Sequence, residues 1–113
     1  MQELPAIPQR ASLKEWQTYV GRVVKARGWD KASDLETFLL FQEEVGELAK
    51  AMRKHRGLFS EGPPTDAKAS KKELALEMAD VLSYLLDLAE RFHIDLEAAA
   101  VEKEEINRHR HWD

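Results

Sequence analysis

Two pairs of acidic residues stand three positions apart on what reads as helix, Glu44 with Glu47 in one segment and Glu77 with Asp80 in another. Residues at that spacing share a helix face. Two such helices brought together gather four carboxylates, and only divalent cations make a cluster of that kind stable. The surroundings sharpen the point. Turning about 100° per residue, the first segment places Leu40, Phe41, Glu44, Leu48, Ala51, Met52 and His55 on one stripe, with Glu44 near its middle and Glu47 at its edge. Leaving a carboxylate on an apolar face costs on the order of several kcal/mol unless it is protonated, paired or bound to a cation. Glu43, Lys50 and Lys54 lie further round, where charges ordinarily meet solvent.

The second pair sits in a segment that is apolar almost all round, from Leu74 through Met78, Val81, Leu82, Leu85, Leu86 and Phe92. Its polar strip is narrow: Glu73, Glu77, Asp80, Tyr84, Asp87 and Arg91. Taken alone, that strip reads equally well as one solvent-facing side. The acids of the first segment favour a shared metal site. A helix so apolar also asks to be covered by a second chain, so a homo-oligomer is expected. A third segment supplies basic groups, with Leu96, Ala100, Lys103, Asn107 and Arg110 sharing a face. This puts Lys103 and Asn107 on the packing side, either as a lysine reaching outward from the core edge to pair with a glutamate or as phosphate ligands.

The elements that position these residues are four helices. Ser12 with Glu15 forms a capping box before a helix over roughly 13–27, whose apolar face is Leu13, Trp16, Val20 and Val23, and Gly28 ends it. The second helix opens near Asp34 and runs to about Arg56, with Gly57 beyond it. Gly62 and Pro63-Pro64 break the chain into a loop with the length of a mobile flap. The third helix covers about 70–92, and the fourth runs from the N-cap Asp95 to about Arg108. No segment alternates with period two. The expected fold is an all-α four-helix bundle forming one domain over residues 1–113.

Composition limits the function. A net charge of -4 in 113 residues argues against a nucleic-acid backbone as the main partner, since that needs clustered lysine and arginine. With no cysteine, a metal must be held by oxygen or imidazole, which favours hard cations. No apolar run approaches a membrane span, and Glu3 with two prolines stands where a signal peptide would be basic and then greasy, so a cytoplasmic protein is expected.

The arrangement Glu43-Glu44-Val-Gly-Glu47-Leu, followed after the loop by Glu77-Met-Ala-Asp80-Val-Leu-Ser-Tyr84, resembles the all-α nucleoside triphosphate pyrophosphohydrolases, the MazG-like proteins and their dCTP- and dUTP-cleaving relatives. The resemblance extends through Arg27-Gly28-Trp29 and from Lys103 to Arg110, covering most of the chain. It implies a dimer or tetramer in which Glu44, Glu47, Glu77 and Asp80 ligate Mg²⁺, with Mn²⁺ able to substitute. A water attacks the α-phosphorus of a nucleoside triphosphate and pyrophosphate leaves, with Glu43, Glu44 and Glu47 as the acids nearest the chemistry. Lys103 and Arg110 would grip phosphates, Asn107 would hold a phosphate or the sugar, and Lys54 would also bind the substrate. Tyr84 would orient a ligand or touch the sugar, and Trp29 would stack on the base or simply close the inter-helix loop. The stretch between Glu47 and Glu77 is somewhat long for the family, which bears on the substrate and not on the reaction. Two rivals differ in class. A di-iron carboxylate bundle needs Glu-x-x-His on two helices, and Glu90-Arg-Phe-His93 supplies one. A non-enzymatic helical docking dimer leaves Glu44 without a purpose. The terminal His109-Arg-His111 reads as solvated side chains rather than metal ligands.

Overall fold

The computed structural model describes residues 3–59, 62 and 66–110. Four α-helices form in the expected order: α1 (Leu13–Ala26), α2 (Asp34–Arg56), α3 (Ala67–Arg91) and α4 (Leu96–Arg108). A single 3₁₀ turn over Trp29–Lys31 joins α1 to α2, and no strand occurs among the described residues. None of these helices is long and apolar enough to cross a membrane.

The helix ends follow local chemistry. Ser12 with Glu15 and Ser33 with Glu36 each form a complete capping box, so α1 and α2 start where their first orphan amides find oxygen. At the end of α2, Gly57 takes the left-handed conformation (φ 68°), its amide donates to the Lys54 carbonyl, and the Leu58 amide donates to that of Arg53. That is a Schellman ending, in which a glycine carries no steric cost. The same pattern closes α3 around His93, which holds φ 56° without being glycine, with Ile94 donating to Ala89. Helix α3 begins three residues earlier than the sequence suggests. Asp66 accepts from the Ala69 amide and acts as its cap, a signal hidden by the following lysine-rich turn. Pro63-Pro64 of the connecting loop lie outside the described residues.

The chain divides into two compact units, Met1–Ala32 with Leu86–Asp113, and Ser33–Leu85. In the first, Leu86 is wholly buried between Val20 and Val24, with Leu13, Trp16, Tyr19 and Leu96 around it. Burying a leucine this completely stabilises by about 2 kcal/mol. Trp16 is thus a core residue, as expected of it. One buried polar group of this unit has no counterpart in the sequence reading. Gln17, 4% exposed, donates from Nε2 to Glu90 (2.8 Å) and to the Ile94 carbonyl (2.6 Å), and its Oε1 accepts from the Leu96 amide (3.1 Å). One side chain therefore ties α1 to the end of α3 and the start of α4, with every polar atom satisfied. Gly21 lets Glu90 come this close, since a Cβ there would stand 2.8 Å from Glu90 Oε2.

The polar strip of α3 faces solvent at Glu73 and Asp80 but is covered at its C-terminal end. Asp87 and Arg91 form an ion pair at 2.9 Å, with side chains only 11% and 14% exposed. The remaining Arg91 donors reach the carbonyls of Ala32 and, at 2.9 Å, Trp29.

In the second unit, α2 and α3 form an antiparallel hairpin stitched by side chains. His55 Nδ1 and Ser70 Oγ lie 2.7 Å apart, and Lys54 pairs with Glu73 at 3.2 Å. The less exposed line of α2 is Thr37, Phe41, Glu44, Leu48, Ala51 and His55, and that of α3 is Ser70, Leu74, Glu77, Val81 and Tyr84. Both advance by alternating steps of three and four, the seam expected of helices meeting along one stripe. Leu40 and Met52, placed on this stripe by the sequence, stand exposed beside it.

Candidate functional site

Each line carries an acid near its middle, and the hairpin brings them together. One carboxylate oxygen from each of Glu44, Glu77 and Asp80 lies within 4.8 Å of the others. Glu44 and Glu77 are half-buried and Asp80 is exposed. At such separations two full negative charges near a protein surface repel by about 3 kcal/mol. Crowding such charges favours a retained proton. The Glu44 carboxyl is accordingly pushed up to about 7, first by its hydrogen bond to Glu77, then by burial and by the charges of Glu77 and Asp80. Oε2 of Glu77 is buried with no hydrogen-bond partner. A buried acceptor without a donor costs about 1–3 kcal/mol. Three converging carboxylates, one orphaned oxygen and one displaced proton fit a hard divalent cation, which takes oxygen ligands and favours the charged form of each.

This electrostatic state gives a pH dependence whose sign follows from Glu44. Between its ordinary value of 4.5 and its folded value of about 7, the folded chain holds a proton that the unfolded chain has released. Stability in the absence of metal therefore falls as pH rises through that window, and the fall is complete above it. With chelator present, the thermal midpoint is expected to drop between about pH 5 and about pH 8, and a divalent cation should reverse the drop at the higher pH. A chelated midpoint that rises across this range, with no response to metal, would contradict the cluster's assignment.

The other residues singled out by sequence are placed as follows. Glu47 is exposed one turn beyond Glu44 and is not part of the trio, so three acids meet where four were expected. Glu43 is exposed, and Tyr84 is half-buried one turn after Asp80. The Lys54 ammonium is already engaged by Glu73. In the other unit, Trp29 is carried by the 3₁₀ turn with its indole 55% exposed, and the Arg27 guanidinium lies 5.1 Å from its ring centroid. Lys103 is exposed on α4 and not on the packing side, where Leu96, Ala99 and Asn107 are found instead. Asn107 has a buried Oδ1 with no hydrogen-bond partner. Arg110 is exposed just past the helix. Glu90, the acid of the di-iron alternative, is bonded to Gln17. His111 lies outside the described residues.

Comparison with known proteins shows the family. The family model of the MazG nucleotide pyrophosphohydrolase domain matches residues 33–112, a segment that contains the whole trio. The dCTP pyrophosphatase 1 of Rattus norvegicus is 35% identical over 86 residues, which are 75% of this chain and 50% of the relative. That of Homo sapiens is 37% identical over 87 residues, with the same shares covered. The chain thus spans about half the length of the curated relatives it matches. No solved structure matches the chain.

Proposed function

The chain belongs to the MazG nucleotide pyrophosphohydrolase family, and on that premise we propose that it hydrolyses nucleoside or deoxynucleoside triphosphates to the monophosphate and pyrophosphate with Mg²⁺. The observation that carries the reading is the convergence of Glu44, Glu77 and Asp80 inside the family-matched segment. These three, joined by the exposed Glu47 one turn along, hold the cation. Mg²⁺ so bound supplies neutralisation of the phosphate charge, and Mn²⁺ is an acceptable substitute. The protein's own groups do the rest. Glu43 or Glu47 orients the attacking water and accepts its proton. The water oxygen bonds to the α-phosphorus as the bond to the β-phosphate oxygen breaks, and pyrophosphate departs. Lys103, Arg110 and Lys54 hold phosphates, the last by releasing Glu73. Asn107, whose Oδ1 has no hydrogen-bond partner, and Tyr84 suit the sugar and inner phosphate, and the exposed Trp29 indole stacks on the base.

Incubating the chain with Mg²⁺ and a panel of canonical and modified triphosphates, dCTP included because the relatives bear its name, tests the reading. A monophosphate and pyrophosphate in equal amounts are expected from at least one member. A panel left wholly intact would overturn the assignment.

The same reading includes a homo-oligomer, a dimer or tetramer. On the hairpin, Leu35, Leu39, Leu76, Met78 and Leu82 are all exposed, Leu39 at 68%. Exposed apolar side chains in this number suit cover by a second chain. Light scattering should give at least twice the 13.0 kDa subunit mass. A monodisperse monomer would contradict it.

A further inference from the structure

The buried ion pair at the end of α3 has a shape that a merely cohesive contact does not require. A desolvated pair four residues apart on one helix contributes little net stability, and apolar residues of similar size often do as well. Arg91, however, spends its donors in three directions: Nε on Asp87, one terminal nitrogen on the Ala32 carbonyl, and the other on the Trp29 carbonyl. Those two carbonyls bracket the 3₁₀ turn, whose own bond runs from the Ala32 amide to the Trp29 carbonyl at 3.2 Å. Ahead of the turn, Gly28 stands in the left-handed region (φ 76°) with open space around its α-carbon. The turn has little packing of its own, since none of its residues is buried. A planar guanidinium forked across it fixes the backbone from which the indole projects, while Arg27 sits against the ring itself.

We propose that Arg91, braced by Asp87, is a positioning residue that sets the orientation of the Trp29 indole and through it the grip on the base of a nucleoside triphosphate. This rests on the reading of Trp29 as the base-stacking residue. The side-chain hydrogen bonds of Arg91 go to Asp87 and to the turn that carries Trp29, so its effect is expected on the base and not on the triphosphate. Lysine at 91 keeps the charge beside Asp87 but cannot fork across two carbonyls.

The test is binding rather than turnover, with Mg²⁺ and two probes: an α,β-imido deoxynucleoside triphosphate, and inorganic tripolyphosphate, which has no base. Arg91→Lys should weaken the nucleotide analogue by about tenfold, as expected when a positioned contact moves by a fraction of an ångström, and leave tripolyphosphate within about twofold. Trp29→Ala should do the same, and adding Arg91→Lys to it should cost no more than about a further twofold, because both act through one contact. Equal weakening of both probes, or an Arg91→Lys effect that persists undiminished without Trp29, would overturn the positioning role. If Arg91→Lys loses its cooperative melt, Asp87→Asn replaces it. That variant loosens the brace and keeps the fork, so a smaller loss confined to the analogue is expected, and a loss shared by tripolyphosphate would count against the proposal. Trp29→Ala binding both probes normally would remove the stacking reading and the proposal together. A normal loss in Trp29→Ala with none in Arg91→Lys would remove the positioning role alone.

Discussion

Replacing Asp80 by alanine is expected to lower kcat/KM on the order of 1,000-fold while leaving helix content and thermal stability nearly unchanged or slightly raised. Asp80 is exposed and faces two other carboxylates, so its removal opens no cavity and relieves repulsion in the metal-free chain. The whole loss falls on function. Glu47→Ala is expected to behave alike if that exposed acid completes the ligand set. An acid two turns further along the same helix provides the contrast. Asp87→Ala leaves the Arg91 guanidinium buried without its counter-charge, and breaking such a pair costs about 3 kcal/mol or more of stability. Circular dichroism and steady-state kinetics on the two variants separate these effects. Unchanged turnover in Asp80→Ala would remove the metal-site assignment.

Asp80 and Asp87 also mark the limit of what the sequence conveys. Both belong to the polar strip of an apolar helix, and periodicity places them on one side without saying what that side meets. Glu44 was legible because an acid amid Phe41, Leu48 and Ala51 conflicts with its own neighbours, and such conflicts tend to mark function. The capping boxes at Ser12 and Ser33 lie within four residues of chain, so helix starts could be read locally. Gln17 and Arg91 had no such signal. Their partners, at Ile94 and Leu96 for one and at Trp29 and Ala32 for the other, are 59 to 79 residues away. Lys103, Leu40 and Met52 stand elsewhere than the periodicity places them for a simpler reason. Each sits at the edge of a helical stripe, where a small rotation decides between core and solvent.

The central claim is that the bond broken lies between the α and β phosphates, and running the hydrolysis in ¹⁸O-water with Mg²⁺ tests it most directly. Many magnesium enzymes with acidic ligands remove the terminal phosphate instead, so neither metal dependence nor the loss in Asp80→Ala distinguishes the two reactions. The fate of the solvent oxygen does. Attack at the α-phosphorus puts it in the nucleoside monophosphate, and pyrophosphate leaves with only its original oxygens. The account predicts labelled monophosphate and unlabelled pyrophosphate in equal amounts, with orthophosphate absent as a primary product. Label in pyrophosphate would mean attack at the β-phosphorus, and labelled orthophosphate with a nucleoside diphosphate would mean cleavage at the γ-phosphate. Either result would contradict the assignment even if Glu44, Glu77 and Asp80 proved to hold the metal.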